Sequence, residues 1–303
     1  MTGEDSAVLA HNITRTGSKQ TYYTARLMVD KELLSDFFRA YAYFRWADDI
    51  IDISLSSPSE RISFVKRQRE LIDGLYNNGS PNDLGPEEEI VADLIHNDRG
   101  KNSGLRSFIS NMFLIIEFDA HRKGRVISNS ELKWYSTCLA QAVTDGLQYF
   151  IGNGHSYPMA ENRYLAATAA HNVHMLRDMV IDITNGFINI PSELLDEHGI
   201  GPEDMDSPAF HAWVRKRVEQ ARVQFREGKR YFDSLEVLRC RIMGYWYCAR
   251  FEGILDNIEN DGYSLRPAYK KQFVWLKMLW LAIILTFQHI FSRAFGARDK
   301  KSR

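Results

Sequence analysis

Cysteine is scarce in this chain and placed for no framework. Cys138, Cys240 and Cys248 are an odd number with no CxxC or CxxH spacing. That excludes a disulfide scaffold and a zinc site, and it fits a reducing compartment. An excess of charge of one sign is missing as well. With a formal net charge of −1 and a pI near 6.8, there is no basic stripe, so no nucleic-acid partner is expected. The opening residues, MTGEDSAVLAHNITRTGSKQ, are polar and lack the apolar core of a secretory signal. There is no dinucleotide-binding glycine fingerprint, no internal repeat, and no alternating run that reads as a strand. A di-iron carboxylate bundle would need two Glu-x-x-His motifs, and the nearest approach is Asp93-Leu94-Ile95-His96.

What is present is helical periodicity almost throughout, in 303 residues that can bury a large core. The pattern predicts a first helix over about Lys31–Asp52 with Asp30 as its N-cap. Ser57-Pro58-Ser59-Glu60 and Ser128-Asn129-Ser130-Glu131 are helix starts with capping boxes, the first with Pro at N1. The second opens a helix toward Ile151. Shorter helices are expected over Glu87–His96 and Leu105–His121, and longer ones over Glu161–Thr184, Phe210–Phe232, Leu235–Asn260 and Pro267–Phe295. No linker is long enough to split the chain. The expected fold class is all-α, with one helical domain over 1–268 and a distinct C-terminal segment over 269–303.

Two aspartate pairs carry the chemistry: Asp48/Asp52 in FRWADDIID and Asp178/Asp182 in HMLRDMVID. Residues four apart share one face of a helix, so two facing helices of this kind would offer four carboxylates to a common space. Their flanks are apolar, YAYF and II, then VHML and VI. Like charges one turn apart repel, and burial sharpens the repulsion. A cation is the usual remedy, and oxygen-only ligands beside a substrate's phosphates suit Mg²⁺. These four aspartates are therefore the candidate metal ligands. Arg45 lies three residues before Asp48 and Arg177 directly before Asp178, each placed to reach a phosphate oxygen or to pair with its neighbouring acid.

The segment Phe273–Phe295 is the most apolar in the chain, and Lys277, Gln288 and His289 interrupt it. Basic residues flank it: Lys270 and Lys271 before, then Arg293, Arg298, Lys300, Lys301 and Arg303. A spanning helix needs roughly 20 mainly apolar residues. Packing on the domain and a true span are both open readings, and the basic flanks favour an interfacial membrane helix over Phe273–Arg303. The expected location is cytoplasmic, peripheral to or anchored at the cytoplasmic face of a membrane.

RAYAYFRWADDIID, FDAHRKG, and HMLRDMVID followed by GFINIP resemble, in that order, the squalene/phytoene synthase family. The resemblance runs from about Ser18 to Tyr263. It implies a class I isoprenoid synthase helical bundle around a central cavity. It also implies Mg²⁺-dependent head-to-head condensation of two prenyl diphosphates through a cyclopropyl diphosphate. By the same resemblance Tyr41 and Tyr263 correspond to family tyrosines near the diphosphate. Ser18 and Lys19 in GSKQTYY match an N-terminal element that closes over it. The family's reductive members use NADPH without a fingerprint, so its use here is left open.

The chain departs from the family at three places. His171 and His174 stand where Gln and Asn are usual, on the acidic face, and would line the diphosphate pocket. Gly186-Phe187-Ile188-Asn189-Ile190-Pro191 stands where Gly-Arg-x-Tyr-x-Pro is common, which bears on the second half-reaction. Cys138, Gln141 and Thr144 replace small glycines on a central helix, and that bulk favours farnesyl over geranylgeranyl diphosphate. Two rivals are weighed. A class I terpene cyclase or head-to-tail synthase shares the DDxxD pattern, but the second motif does not match theirs. A noncatalytic membrane-associated assembly factor would show eroded aspartates, and all four are present.

Overall fold

The computed structural model describes residues 3–55, 57–79, 81, 83–98, 100, 103–269 and 275–299. The polar N-terminus, to which the periodicity assigned no element, forms α1 (Gly3–Gly17) and α2 (Lys19–Met28). Helix α1 buries small polar and Ala side chains, Ser6, Ala10 and Thr14, one turn apart. Much of its anchoring is by hydrogen bonds: Arg39 donates to Gly3 O at 2.7 Å and to Ser6 Oγ at 3.2 Å, and Ser6 donates to Asp93. A helix held this way leaves no apolar stripe in the sequence to read.

The predicted helix over Lys31–Asp52 is three pieces. A 3₁₀ turn covers Lys31–Leu33, α3 covers Leu34–Asp49, and a π-helical turn covers Ile50–Ser54. Asp30 does not cap with its side chain, because its Oδ2 is engaged by the N–H groups of Gly152 and Asn153 at 2.9 and 2.8 Å. The π turn closes with Leu55 N–H donating to Ile50 O at 3.0 Å. Such widened turns recur at functional sites, and this one carries Asp52.

Both capping boxes are found. Ser57 accepts from the Glu60 N–H and Glu60 from the Ser57 N–H, opening α4 (Pro58–Tyr76). Two helices follow, α5 (Pro86–Asn97) and α6 (Gly104–Arg122). Ser128 and Glu131 cap α7 (Asn129–Phe150) in the same way. Then come α8 (Leu165–Thr184), preceded by a 3₁₀ turn over Glu161–Tyr164, α9 (Ser192–His198), α10 (Pro208–Asp233), α11 (Leu238–Asn260) and α12 (Trp275–Asp299). The all-α class holds, with one addition. Strand β1 (Arg125–Ile127) follows α6, and β2 (Phe187–Pro191), which is the FINIP of the second motif, follows α8. They pair in parallel, Arg125 opposite Phe187 and Val126 opposite Ile188, with a bulge before Ile127 meets Pro191. Strands of three and five residues are too short for their alternation to show in the sequence.

The chain forms two compact units, 1–154 with 182–197, and 155–181 with 198–303. In the first, α3 packs on α1 and α5, and α6 lies along α7. Its core includes Tyr43, Ile51, Ile90, Leu94, Leu105 and Ile109, all essentially inaccessible. In the second, α10 packs on α11 and α11 on α12, around Phe210, Val214, Phe225, Leu255 and Ile258. The expected helix does not begin at Pro267, since 267–269 are not helical; α12 is described from Trp275, and Lys270, Lys271, Phe273, Lys300, Lys301 and Arg303 lie outside the described residues. Its inner face meets α11, where Trp246 Nε1 donates to Met278 O at 2.7 Å and Leu285 is buried. Its outer face exposes Leu279, Trp280, Ile283, Ile284, Phe287 and Ile290. Among the described residues no helix is long and apolar enough to cross a membrane.

Gly228 marks a close approach of two backbones in the second unit. A Cβ there would lie 2.6 Å from Ala166 Cβ and 2.7 Å from its backbone nitrogen. Ala gains up to about 1 kcal/mol in helix propensity over Gly, but overpacking against backbone costs about 1–3 kcal/mol. Gly228→Ala should therefore lower the urea midpoint; a midpoint at or above wild type would refute the close contact.

Candidate active site

The first acidic motif is a cluster of carboxylates short of positive charge. Asp48 ends up near Asp52 and Asp119. Burial first, then the charges of Asp52 and Asp119, push its carboxyl up to about 7. Asp52 rises to about 6, through desolvation and Asp119, with Lys123 and Arg122 pulling the other way. Arg45 is engaged elsewhere: its Nε and Nη2 donate to Asp49 at 3.0 and 2.6 Å, one turn along α3. The intrahelical ion pair weighed for Arg45 is thus present, and its partner is Asp49. Ser18 caps α2, accepting from the Thr21 N–H at 3.2 Å. Tyr41 bonds the Ser18 side chain; burial raises its phenol, while Arg45 and that bond pull it down. Ser18, Tyr41 and Arg45 are therefore gathered beside Asp48, and Lys19 is exposed next to Ser18.

The second motif is neutralised from within. Arg177 Nε and Nη2 donate to Asp178 at 2.7 and 2.6 Å, and His174 Nε2 lies 2.9 Å from Asp178 Oδ2. Burial alone would raise Asp178; the hydrogen bonds from Arg177 and His174 outweigh it and hold the carboxyl well below the usual range. The two histidines differ in setting: His174 is half exposed, whereas His171 is buried at 4%. Tyr263 sits past the end of α11 with φ of +69°, and Arg215 stacks 4.7 Å over its ring. A non-glycine residue in that region is strained, and such strain gathers at functional positions.

Sequence reasoning missed a buried chain in the first unit. Tyr135 OH donates to Asp119 Oδ2 at 2.8 Å, and Arg122 Nε donates to Asp119 Oδ1 at 2.5 Å. Arg122 Nη1 donates to Asn189 Oδ1 at 2.8 Å, and Asn189 Nδ2 donates to Asp182 Oδ2 at 3.0 Å. Lys123 Nζ donates to Asp52 O at 2.7 Å. The signals for Asp119 and Arg122 were their i, i+3 spacing, which most surface helices also show, and their place in FDAHRKG, a segment that contributed to the family resemblance but was given no role.

Mg²⁺ takes one or two carboxylates from a protein and completes its shell with water and phosphate oxygens. Asp48 with Asp52, desolvated and mutually repelling, has that donor chemistry, and so does Asp182 beside Asn189. Among the described residues no three His, Cys, Asp or Glu side chains gather closely enough to hold an ion by themselves.

A profile of the squalene/phytoene synthase family matches residues 14–277. The chain belongs to that family. A curated relative, the bifunctional lycopene cyclase/phytoene synthase of Podospora anserina, is 24% identical over 227 residues, 67% of this chain and 38% of that protein. The chain thus spans well under half of that relative's length. In fold, it is similar to the squalene synthase HpnC from Alicyclobacillus acidocaldarius, with a TM-score of 0.69 and 18% identity over 88% of this chain and 98% of that one. A dehydrosqualene synthase solved with a ligand superposes with a TM-score of 0.70 and 17% identity, over 94% and 96% of the two chains.

The raised carboxyls make stability depend on pH in a definite sense. The native protein retains protons on Asp48 and Asp52 that the unfolded chain releases. Their contribution is full below about pH 4 and is lost as pH rises through about 6 and 7. Asp178 acts oppositely, its contribution being lost only as pH falls below the usual carboxylate range. In EDTA-treated protein the urea midpoint should fall between about pH 5 and pH 7.5, and Asp48→Asn should flatten that fall. A midpoint rising over the interval would contradict the burial of the first motif.

Proposed function

We propose that this protein condenses two prenyl diphosphates head to head in a Mg²⁺-dependent reaction that releases diphosphate through a cyclopropyl diphosphate. The observation that carries the reading is the pairing of family membership with intact acidic motifs, the first of them desolvated and under-neutralised. Residues 1–268 make up the catalytic part. Asp48, Asp52, Asp178 and Asp182 are the carboxylate ligands, and bound Mg²⁺ supplies the positive charge that steadies the departing diphosphate. Arg45 and Arg177, oriented by Asp49 and Asp178, offer planar forks to phosphate oxygens. Ser18, Lys19 and Tyr41 close the first substrate's diphosphate from the α2 side, with His171, His174 and Tyr263 serving the second motif. The bulk at Cys138 and Thr144, both buried, supports farnesyl over geranylgeranyl diphosphate.

Incubation with Mg²⁺ and radiolabelled farnesyl or geranylgeranyl diphosphate, with and without NADPH, tests this. Asp48→Asn and Asp178→Asn should each abolish diphosphate release while circular dichroism stays that of the native fold, since each removes a ligand. Turnover that survives EDTA or either substitution sinks the site.

We further propose that α12 attaches the protein to an anionic membrane surface at the cytoplasmic face. Its exposed apolar residues recur at helical spacing along one side, and the sequence flanks them with basic residues. Basic residues near an anionic leaflet contribute about 1 kcal/mol each. Trp280 and Phe287 are exposed at 64% and 59%, so replacing both with Glu leaves the α11-facing side untouched. Wild type should float with phosphatidylserine-containing vesicles at physiological salt, and Trp280→Glu/Phe287→Glu should not. A wild type that stays off the vesicles ends the attachment reading.

A further inference from the structure

We propose that Asn189 is a positioning residue that fixes the Asp182 carboxylate by tying it to Arg122, and that Phe187 and Asn189 form one device with that arginine. The inference rests on reading Asp182 as a metal ligand. It concerns the two positions at which this chain departs from Gly-Arg-x-Tyr-x-Pro.

The backbone brings the parts together. Gly124 N–H donates to Gly186 O at 2.7 Å, with φ of +83° at Gly124 and +85° at Gly186. That single bond ties the turn after α6 to the turn after α8, immediately ahead of the β1–β2 pair. Only glycine adopts both conformations without strain, and a Cβ on Gly186 would sit 3.4 Å from Gly124 N. Arg122 is two residues before one end of the tie. Asp182 is four before the other end, and Asn189 three after it.

The side chains then have little choice. A guanidinium has donors only and a carboxylate, when ionised, acceptors only, so a residue bridging the two must offer one of each. An amide does so in a short side chain. Its orientation follows from its neighbours: Oδ1 accepts from Arg122 at 2.8 Å and Nδ2 donates to Asp182 at 3.0 Å. Asn189 is 3% exposed and Arg122 likewise, so the bond between them is shielded from water, and the bond to Asp182 is partly so. Phe187 contacts the same arginine. Its ring lies 5.2 Å from the Arg122 guanidinium and 5.4 Å from Lys123 Nζ, while Tyr135 and Phe118 face Arg122 at 5.0 and 5.5 Å. An arginine at position 187 would set a second cation against Arg122. Phe187 replaces that repulsion with a cation–π contact. Asp182 is thereby held from a buried anchor, the Asp119–Arg122 pair.

The test reads metal affinity on the full-length protein without turnover. Mn²⁺ binding in the presence of inorganic diphosphate is measured by electron paramagnetic resonance for wild type, Asn189→Leu, Asp182→Asn and the double variant. Losing a partner that orients a metal ligand typically costs 10–100-fold in affinity, so Asn189→Leu should weaken binding about tenfold. The double variant should bind no more weakly than Asp182→Asn alone, because Asn189 acts through Asp182. A residue that merely fills space would give additive losses, and additivity overturns the inference. So does unchanged affinity in Asn189→Leu, and if Asp182→Asn still weakens binding then Asp182 keeps its ligand role. A wild type that takes up no Mn²⁺ with diphosphate overturns both readings. Should Asn189→Leu fail to fold, Asn189→Gln carries the same cycle: it keeps both polarities but moves the amide one methylene outward, and the same non-additivity is expected.

Discussion

Arg122 is a full positive charge almost wholly removed from water, and the acidic end of the first unit is organised around keeping it paired. Breaking a buried ion pair by removing one partner costs about 3–5 kcal/mol, because the survivor is left uncompensated. Asp119, also buried, has Arg122 and the Tyr135 hydroxyl as its partners. The end of α6, the first turns of α7 and strand β2 must therefore arrive together, or the charge is stranded. Three aromatic faces around the guanidinium remove most of its freedom to swing away. The short parallel pair β1–β2, too small to count as a sheet in any energetic sense, matters because it delivers Phe187 and Asn189 to this point.

The two acidic motifs have the same spacing and opposite electrostatics. Asp48 and Asp52 sit beside a third buried acid, and their carboxyls rise toward neutrality. Asp178 carries its own arginine and histidine and remains firmly ionised. The first motif thus carries unbalanced negative charge, whereas Asp178 is balanced by its own neighbours. The π turn adds to the difference, since Asp52 lies on a widened turn and Asp182 on a regular helix.

Several expectations failed for a common physical reason. The N-terminal helices, Asp30's engagement with Gly152 and Asn153, and the network around Arg122 all depend on polar contacts between residues distant in sequence. Periodicity and capping rules see apolar faces and neighbours within four residues. They located the capping boxes at Ser57 and Ser128 because those are local, and they could not see Arg39 reaching Gly3 or Arg122 reaching Asn189.

The amino-acid sequence by itself determined the helical class, most helix starts, the two aspartate pairs and the resemblance that led to the family, because each is written in short-range spacing. It also determined the departures at Phe187 and Asn189, as bare facts without a role. Only the tertiary structure decided that Arg122 also reaches Asn189 and that Tyr135 joins it on Asp119. It alone lifted Asp48 toward neutrality and held Asp178 low. Charge pairing and desolvation depend on distance and burial in three dimensions, and neither is fixed until helices far apart in the chain have packed.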